Sequence, residues 1–259
     1  MKTKKTAVIT GGASGIGKAA ALRLAADGVL VSLVDLNAER LSVTAEEIRL
    51  AGGEVLVFHE DITNEQGMAR VMQKTAEEAG SIECVFANGG ILGTVSSIEH
   101  FTKENWAKTI ENNVVGTFVI VKSAIPYMKE RGGSIVLTSS VSGSRQFAQE
   151  GFSAYSTSKA AIAAFSKMAA LELAQYRIRV NAICPGSIDT NIFESMDESE
   201  RTKDIHFPLD IPKNAIPLTK KPGQPEQVAS LFAFLVSDDA SHITGTEVYV
   251  DGAETLLKG

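Results

Sequence analysis

At 259 residues, with 44% apolar residues and a formal net charge of −6, the chain can form one large α/β domain or two small ones around a buried core. The acidic balance and the lack of a long Lys/Arg run exclude a polyanion as main partner, because phosphate-backbone binding needs concentrated positive charge. No apolar stretch approaches the roughly 18 residues that span a bilayer. The run after the basic residues 1–5 stops at Gly11 and Gly12, too short for an export signal, so a soluble, cytoplasmic protein with no nucleic-acid or membrane partner is expected.

Residues 6–10 form a short β-branched run that passes directly into Gly11-Gly-Ala-Ser-Gly15-Ile-Gly17 and then into a helical pattern over 18–26. Strand, glycine turn and helix in that order suit a pyrophosphate. Gly11 makes the tight turn, Gly15 admits the phosphates to the backbone, Gly17 lets the helix pack closely, and the helix N-terminus supplies N–H donors. A ligand-free glycine turn is the plain alternative. The next strand, 29–35, ends in Asp35, about 20 residues after the glycines, where a carboxylate can accept hydrogen bonds from a ribose and repel a 2′-phosphate. Neither Ser14 nor Leu36 offers a cation for that phosphate, so NAD is expected over NADP.

Further strands are predicted over 54–61, 84–88, 134–140, 178–183 and 247–251, and helices over 38–51, 65–79, 103–129, 154–174 and 225–237. Seven strands alternating with helices imply a doubly wound, Rossmann-type α/β fold with a parallel sheet covered on both faces. No linker divides the chain, so one domain over 1–259 is expected. Residues 191–223 break the pattern: polar, following a strand end and carrying four of the seven prolines, they read as a lid over a substrate site. Cys84 and Cys184 read as separate packing residues. His59, His100, His206 and His242 lack the paired spacing of a metal site, so none is expected.

Ser139 and Ser140 end a strand, and Tyr155 and Lys159, four apart, share one helix face. An ammonium about 4 Å from a phenol favours the phenolate by on the order of three pK units before screening, which would let Tyr155 trade protons near neutrality with Ser140 orienting the substrate oxygen. By spacing alone the pair is more often an ordinary amphipathic surface pair.

Taken together, Thr10-Gly-Gly-Ala-Ser-Gly-Ile-Gly17, Asp61, Asn88-Gly89-Gly90, Asn113, Ser140, Tyr155-Ser-Thr-Ser-Lys159 and Pro185-Gly186 resemble, over essentially the whole chain, the short-chain dehydrogenase/reductase family. The resemblance implies Asn113, Ser140, Tyr155 and Lys159 as catalytic, with Asn113 holding a water in a relay with Lys159. It implies a cofactor site of Gly11, Ser14, Gly15, Ile16, Gly17, Asp35, Leu36, Asp61, Ile62, Asn88, Gly89, Gly90, Pro185, Gly186, Ile188 and Thr190, with Asp61 bonding adenine. Two departures stand out: Ala87 replaces a usual asparagine and Gly90 a usual alanine, so the turn after the fourth strand should be held by different hydrogen bonds. The longer gap from Ser140 to Tyr155 makes Ser142 an alternative substrate-facing hydroxyl.

The substrate pocket is expected between Ile91 and Leu92, residues 142–152 including Ser142 and Phe152, and the lid with Phe193, Met196 and Phe207. Its apolar character points to a modest aliphatic, cyclic or aromatic alcohol or ketone. Residues 160–171 are apolar around more of the helix than one core-facing stripe requires, which fits the homotetramer the resemblance implies. The expected activity is NAD(H)-dependent interconversion of a secondary alcohol and a ketone. Alternatives are a 3-ketoacyl-carrier-protein reductase of the same family and a non-catalytic dinucleotide sensor.

Overall fold

The computed structural model describes residues 5–147, 149–198, 202–203, 205 and 216–258. Strand β1, Thr6–Thr10, is buried at every position, which places it inside a sheet covered on both faces. The other strands are β2 (Leu30–Asp35), β3 (Val55–His59), β4 (Cys84–Ala87), β5 (Gly93–Val95), β6 (Gly133–Thr138), β7 (Ile178–Pro185), β8 (Met196–Glu198) and β9 (Glu247–Val250). Seven form one sheet, ordered β3-β2-β1-β4-β6-β7-β9, with every neighbouring pair parallel. The doubly wound fold expected from the sequence is therefore present. The winding reverses between β1 and β4, and at that point the carboxyl ends of parallel strands leave a crevice.

Side-chain alternation divides the core in two. Ala7, Ile9, Leu33 and Phe86 point to the face covered by α1 (Gly15–Ala26), α2 (Ala38–Leu50) and α7 (Pro225–Val236), where Phe86 stacks on Phe232 with ring centroids 4.1 Å apart. Val8, Val34, Val85 and Leu137 point to the face of α3 (Glu65–Ala79), α5 (Gly116–Met128) and α6 (Ser153–Leu173). Cys84 and Cys184 are both buried and free. Among the described residues no helix is long and apolar enough to cross a membrane.

Two expectations need correction. The single helix over 103–129 is α4 (Lys103–Ile110), a wide π turn at Glu111–Val115, then α5. One extra residue per turn leaves the apolar period nearly intact, so the pattern hides the break, and such turns cluster at functional sites. The segment 191–223 is also not structureless where described: a 3-10 turn at Ile192–Ser195 leads into β8, which pairs in parallel with β5, Gly93 opposite Met196. His206 and Phe207 lie outside the described residues.

Candidate active site

The strand ends open on a cavity of about 800 Å³. At its nucleotide end Gly15 sits in the left-handed region at φ 51°, and a Cβ on Gly17 would stand 2.1 Å from the Gly11 carbonyl oxygen. Only glycine lets α1 come this close to the turn. No side chain caps α1, so its N–H groups and positive end are left for an anion, with Ser14, Gly15 and Ile16 on the cavity wall.

The Asp35 carboxylate is fixed at the rim: Oδ2 accepts from the Ala13 N–H at 3.1 Å and Oδ1 from the Asn37 N–H at 3.0 Å. The turn after β4 is held by Thr10, whose Oγ1 accepts from the N–H groups of Asn88 and Gly89, each at 3.0 Å. Thr138 Oγ1 donates to Asn88 Oδ1 at 3.1 Å.

A cation does stand near Asp35 on the cavity wall, at a position other than the Ser14 and Leu36 that the sequence reading weighed. Arg40, on the first turn of α2, lines the same cavity as Asp35. Its guanidinium is clamped by Glu194 in the 3-10 turn after β7, Nη1 to Oε2 at 2.8 Å and Nη2 to Oε1 at 3.2 Å. The pair raises the pKa of Arg40 and lowers that of Glu194. Its members are 154 positions apart, so no local pattern announces them.

At the other end the Tyr155 phenol is buried beside the Ser140 hydroxyl. The 3-10 turn Val141–Gly143 makes this possible: a Cβ on Gly143 would lie 2.7 Å from the Ala160 nitrogen, so a glycine there lets the turn rest on α6. Ser142 donates its N–H to Ser140 Oγ at 3.1 Å and its hydroxyl to Gln149 Oε1 at 2.6 Å. The Ser142 hydroxyl is thereby occupied, and Ser140 is the one beside the phenol. Lys159 Nζ donates to the Thr138 carbonyl at 2.9 Å and lies 5.6 Å from the Tyr155 ring centroid.

Burial lowers the Lys159 pKa to about 8 and raises that of Tyr155 to about 12, with only the Ser140 hydroxyl acting against the rise. This corrects the expected lysine-lowered phenol. In the chain alone desolvation dominates, because the ammonium points at a backbone carbonyl and not at the phenolic oxygen.

Nearly all predicted site residues border the one cavity; Gly17, Asp61, Asn113 and Met196 do not. Gly17 acts through helix packing. Asp61 Oδ1 accepts from the N–H and the hydroxyl of Thr63, both at 2.8 Å, while its neighbours Glu60 and Ile62 reach the cavity wall. Met196 opens β8, its backbone paired in register with Gly93. The Asn113 side chain is buried: Oδ1 accepts from the Ile91 N–H at 2.9 Å, and Nδ2 donates to the Ile91 carbonyl at 2.9 Å and to Ser158 Oγ at 3.0 Å. It therefore ties the π turn to the cavity wall and to α6. Ile91, Leu92, Phe152 and the exposed Phe193 line the pocket as predicted, with two further residues that composition did not single out, Gln146 and Gln149.

A glycine turn at a helix N-terminus, a carboxylate at the ribose rim and a Tyr, Ser and Lys set at the far end of one cavity define a dinucleotide-dependent oxidoreductase. A family model described as Enoyl-(Acyl carrier protein) reductase matches residues 11–253. The cyclohexanol dehydrogenase of Acinetobacter sp. (strain SE19) is 36% identical over 252 residues, 97% of this chain and 95% of that protein. The crystal structure of a 3-ketoacyl-ACP reductase from Sinorhizobium meliloti 1021 superposes with a TM-score of 0.91 at 40% identity, covering 97% of this chain and 99% of the other. An NAD⁺-bound xylitol dehydrogenase superposes at 0.84 with 28% identity, covering 97% of this chain and all of the other. The chain belongs to the short-chain dehydrogenase/reductase family. It is an oxidoreductase of CH–OH groups, and its cofactor is a nicotinamide dinucleotide, which the uncapped helix end and the Gly17 approach fit.

Proposed function

We propose that the chain interconverts a secondary alcohol and a ketone with NAD(H) in preference to NADP(H), Tyr155 handling the proton and Ser140 orienting the substrate oxygen. The observation that carries this reading is the Tyr155 phenol buried beside Ser140 and Lys159 inside the cavity that Asp35 also lines. When bound, the nicotinamide ring supplies the hydride donor or acceptor and, oxidised, a positive charge. Tyr155 donates its proton to the carbonyl oxygen in reduction and recovers it in oxidation. With a pKa of about 8, Lys159 is mostly an ammonium at neutral pH and adds positive charge on the phenol's side of the site. Asn113 holds the Ile91 wall and α6 in register.

The cofactor preference follows from charge at the rim. Asp35 repels a 2′-phosphate, and Glu194 occupies the nearby guanidinium of Arg40. Titrating the protein with NADH and with NADPH, following cofactor fluorescence, tests this. Tighter NADH binding is expected; tight NADPH with weak NADH binding would overturn it. A second reading, reduction of 3-ketoacyl groups on a carrier protein, draws on the Sinorhizobium likeness, and a screen of alcohols, ketones and ketoacyl esters at 340 nm separates the two.

Residues 191–223 act as the substrate lid in this reading, anchored where the Leu92 N–H donates to Ser195 Oγ at 2.9 Å. The partner is a small alcohol or ketone, the site a cytoplasmic one, and the assembly a homotetramer using the outer faces of α5 and α6, where Phe118, Met168 and Leu171 are exposed.

A further inference from the structure

Two side-chain amides stand on the cavity wall between the turn Val141–Gly143 and α6. Gln146 is only 7% exposed, and its backbone is fixed by an N–H bond to the Val141 carbonyl at 2.9 Å. Its side-chain amide lines the cavity and makes no hydrogen bond to any described residue. Gln146 is not among the sealed, unpartnered polar groups, so its amide is open to a ligand in the cavity it borders. Gln149 spends its oxygen on the Ser142 hydroxyl at 2.6 Å, and its N–H donors make no hydrogen bond to any described residue. Ser142 in turn donates its N–H to Ser140 Oγ at 3.1 Å, so the Gln149 amide is joined through one residue to the hydroxyl beside Tyr155.

The same cavity wall carries the apolar residues Ile91, Leu92 and Phe152. Arg145, adjacent in sequence, is stacked on the Tyr249 ring at 3.5 Å and does not border the cavity. Lys159 is engaged with the Thr138 carbonyl and Arg40 with Glu194, so the free groups are neutral amides, which recognise an uncharged oxygen. We propose that the substrate carries a second, uncharged oxygen, a hydroxyl or carbonyl, on a carbon close to the reacting one, and that Gln146 and Gln149 bind it. This class of hydroxyketones, diketones and diols is narrower than the plain alcohol or ketone expected from the apolar residues. The inference rests on the alcohol and ketone activity proposed above and names its substrate class.

The test uses pairs of compounds that share a carbon skeleton: cyclohexanol against 1,2-cyclohexanediol with NAD⁺, and cyclohexanone against 2-hydroxycyclohexanone with NADH. The wild-type protein is expected to favour the dioxygenated member in kcat/KM by at least about tenfold, the size of losing one buried hydrogen-bond partner. Gln146→Leu and Gln149→Leu are expected to bring that ratio to about one, with no fall in Tm for Gln146→Leu, because its amide has no partner in the fold. Equal kcat/KM for both members in the wild type overturns the proposal and leaves the oxidoreductase reading intact. An undiminished ratio in both variants also overturns it, and turnover of neither member defeats that reading together with the proposal.

Discussion

Lys159 carries its charge where burial penalises it. The ammonium is almost wholly enclosed, with Thr138 O as its bonded acceptor, and its pKa falls from 10.5 to about 8. Between those values the unfolded chain binds more protons than the folded one, so this group makes folding more favourable as pH rises through that window and costs stability below it. The shift corresponds to about 3 kcal/mol. Lys159→Met is therefore expected to gain about 1 to 3 kcal/mol at pH 7 while losing most turnover, and calorimetry at pH 7 and pH 10 should find the gain shrinking at the higher pH. A variant that melts lower than wild type at pH 7 would contradict this. The two serines separate similarly. Ser140→Ala is expected to lower kcat about 100-fold, the usual loss of an oriented hydrogen-bond donor at the reacting oxygen. Ser142→Ala, whose hydroxyl already serves Gln149, should lower kcat on a mono-oxygenated substrate by less than about fivefold.

Between elements, the Arg40 and Glu194 pair joins α2 to the turn after β7 across the ribose rim. Both side chains are partly exposed, so solvent screening leaves the pair little weight in stability. Its removal should act on cofactor choice more than on stability. Glu194→Gln frees Arg40, and affinity for NADPH is expected to rise about three- to fivefold with NADH affinity nearly constant; the gain should vanish in an Arg40→Gln background, which titration of the single and double variants checks. The strands of the main sheet were legible because each is a short run rich in β-branched and apolar residues flanked by turn residues. The three-residue strands β5 and β8 were not, being too short to alternate, and the break at Glu111–Val115 hides inside an intact helical period. Sequence order located Gly11, Ser140, Tyr155 and Lys159 well because each sits at a strand end or on one helix face. Asp61 and Met196 do not border the cavity, and Arg40 was not visible in the sequence because its partner is remote in the chain.

For the molecule as a whole, the outer faces of α5 and α6 remain open. Met168 is 66% and Leu171 76% exposed, and Phe118 meets Phe165 edge to face with centroids 6.2 Å apart. Contiguous apolar surface of this kind marks association. Light scattering on the eluting protein is expected to give a tetramer, and Met168→Glu combined with Leu171→Glu a smaller species; a wild-type monomer would contradict the assembly.

Binding and chemistry meet in one cavity, and Tyr155 is where they separate experimentally. Tyr155→Phe should be compared with wild type on one preparation, measuring NADH Kd by fluorescence and kcat at 340 nm on the best substrate of the panel. The expected result is a Kd within about twofold and a kcat reduced about 10²- to 10⁴-fold, the range for loss of a positioned general acid and base. A kcat equal to wild type would contradict the proton role of Tyr155 and the function built on it.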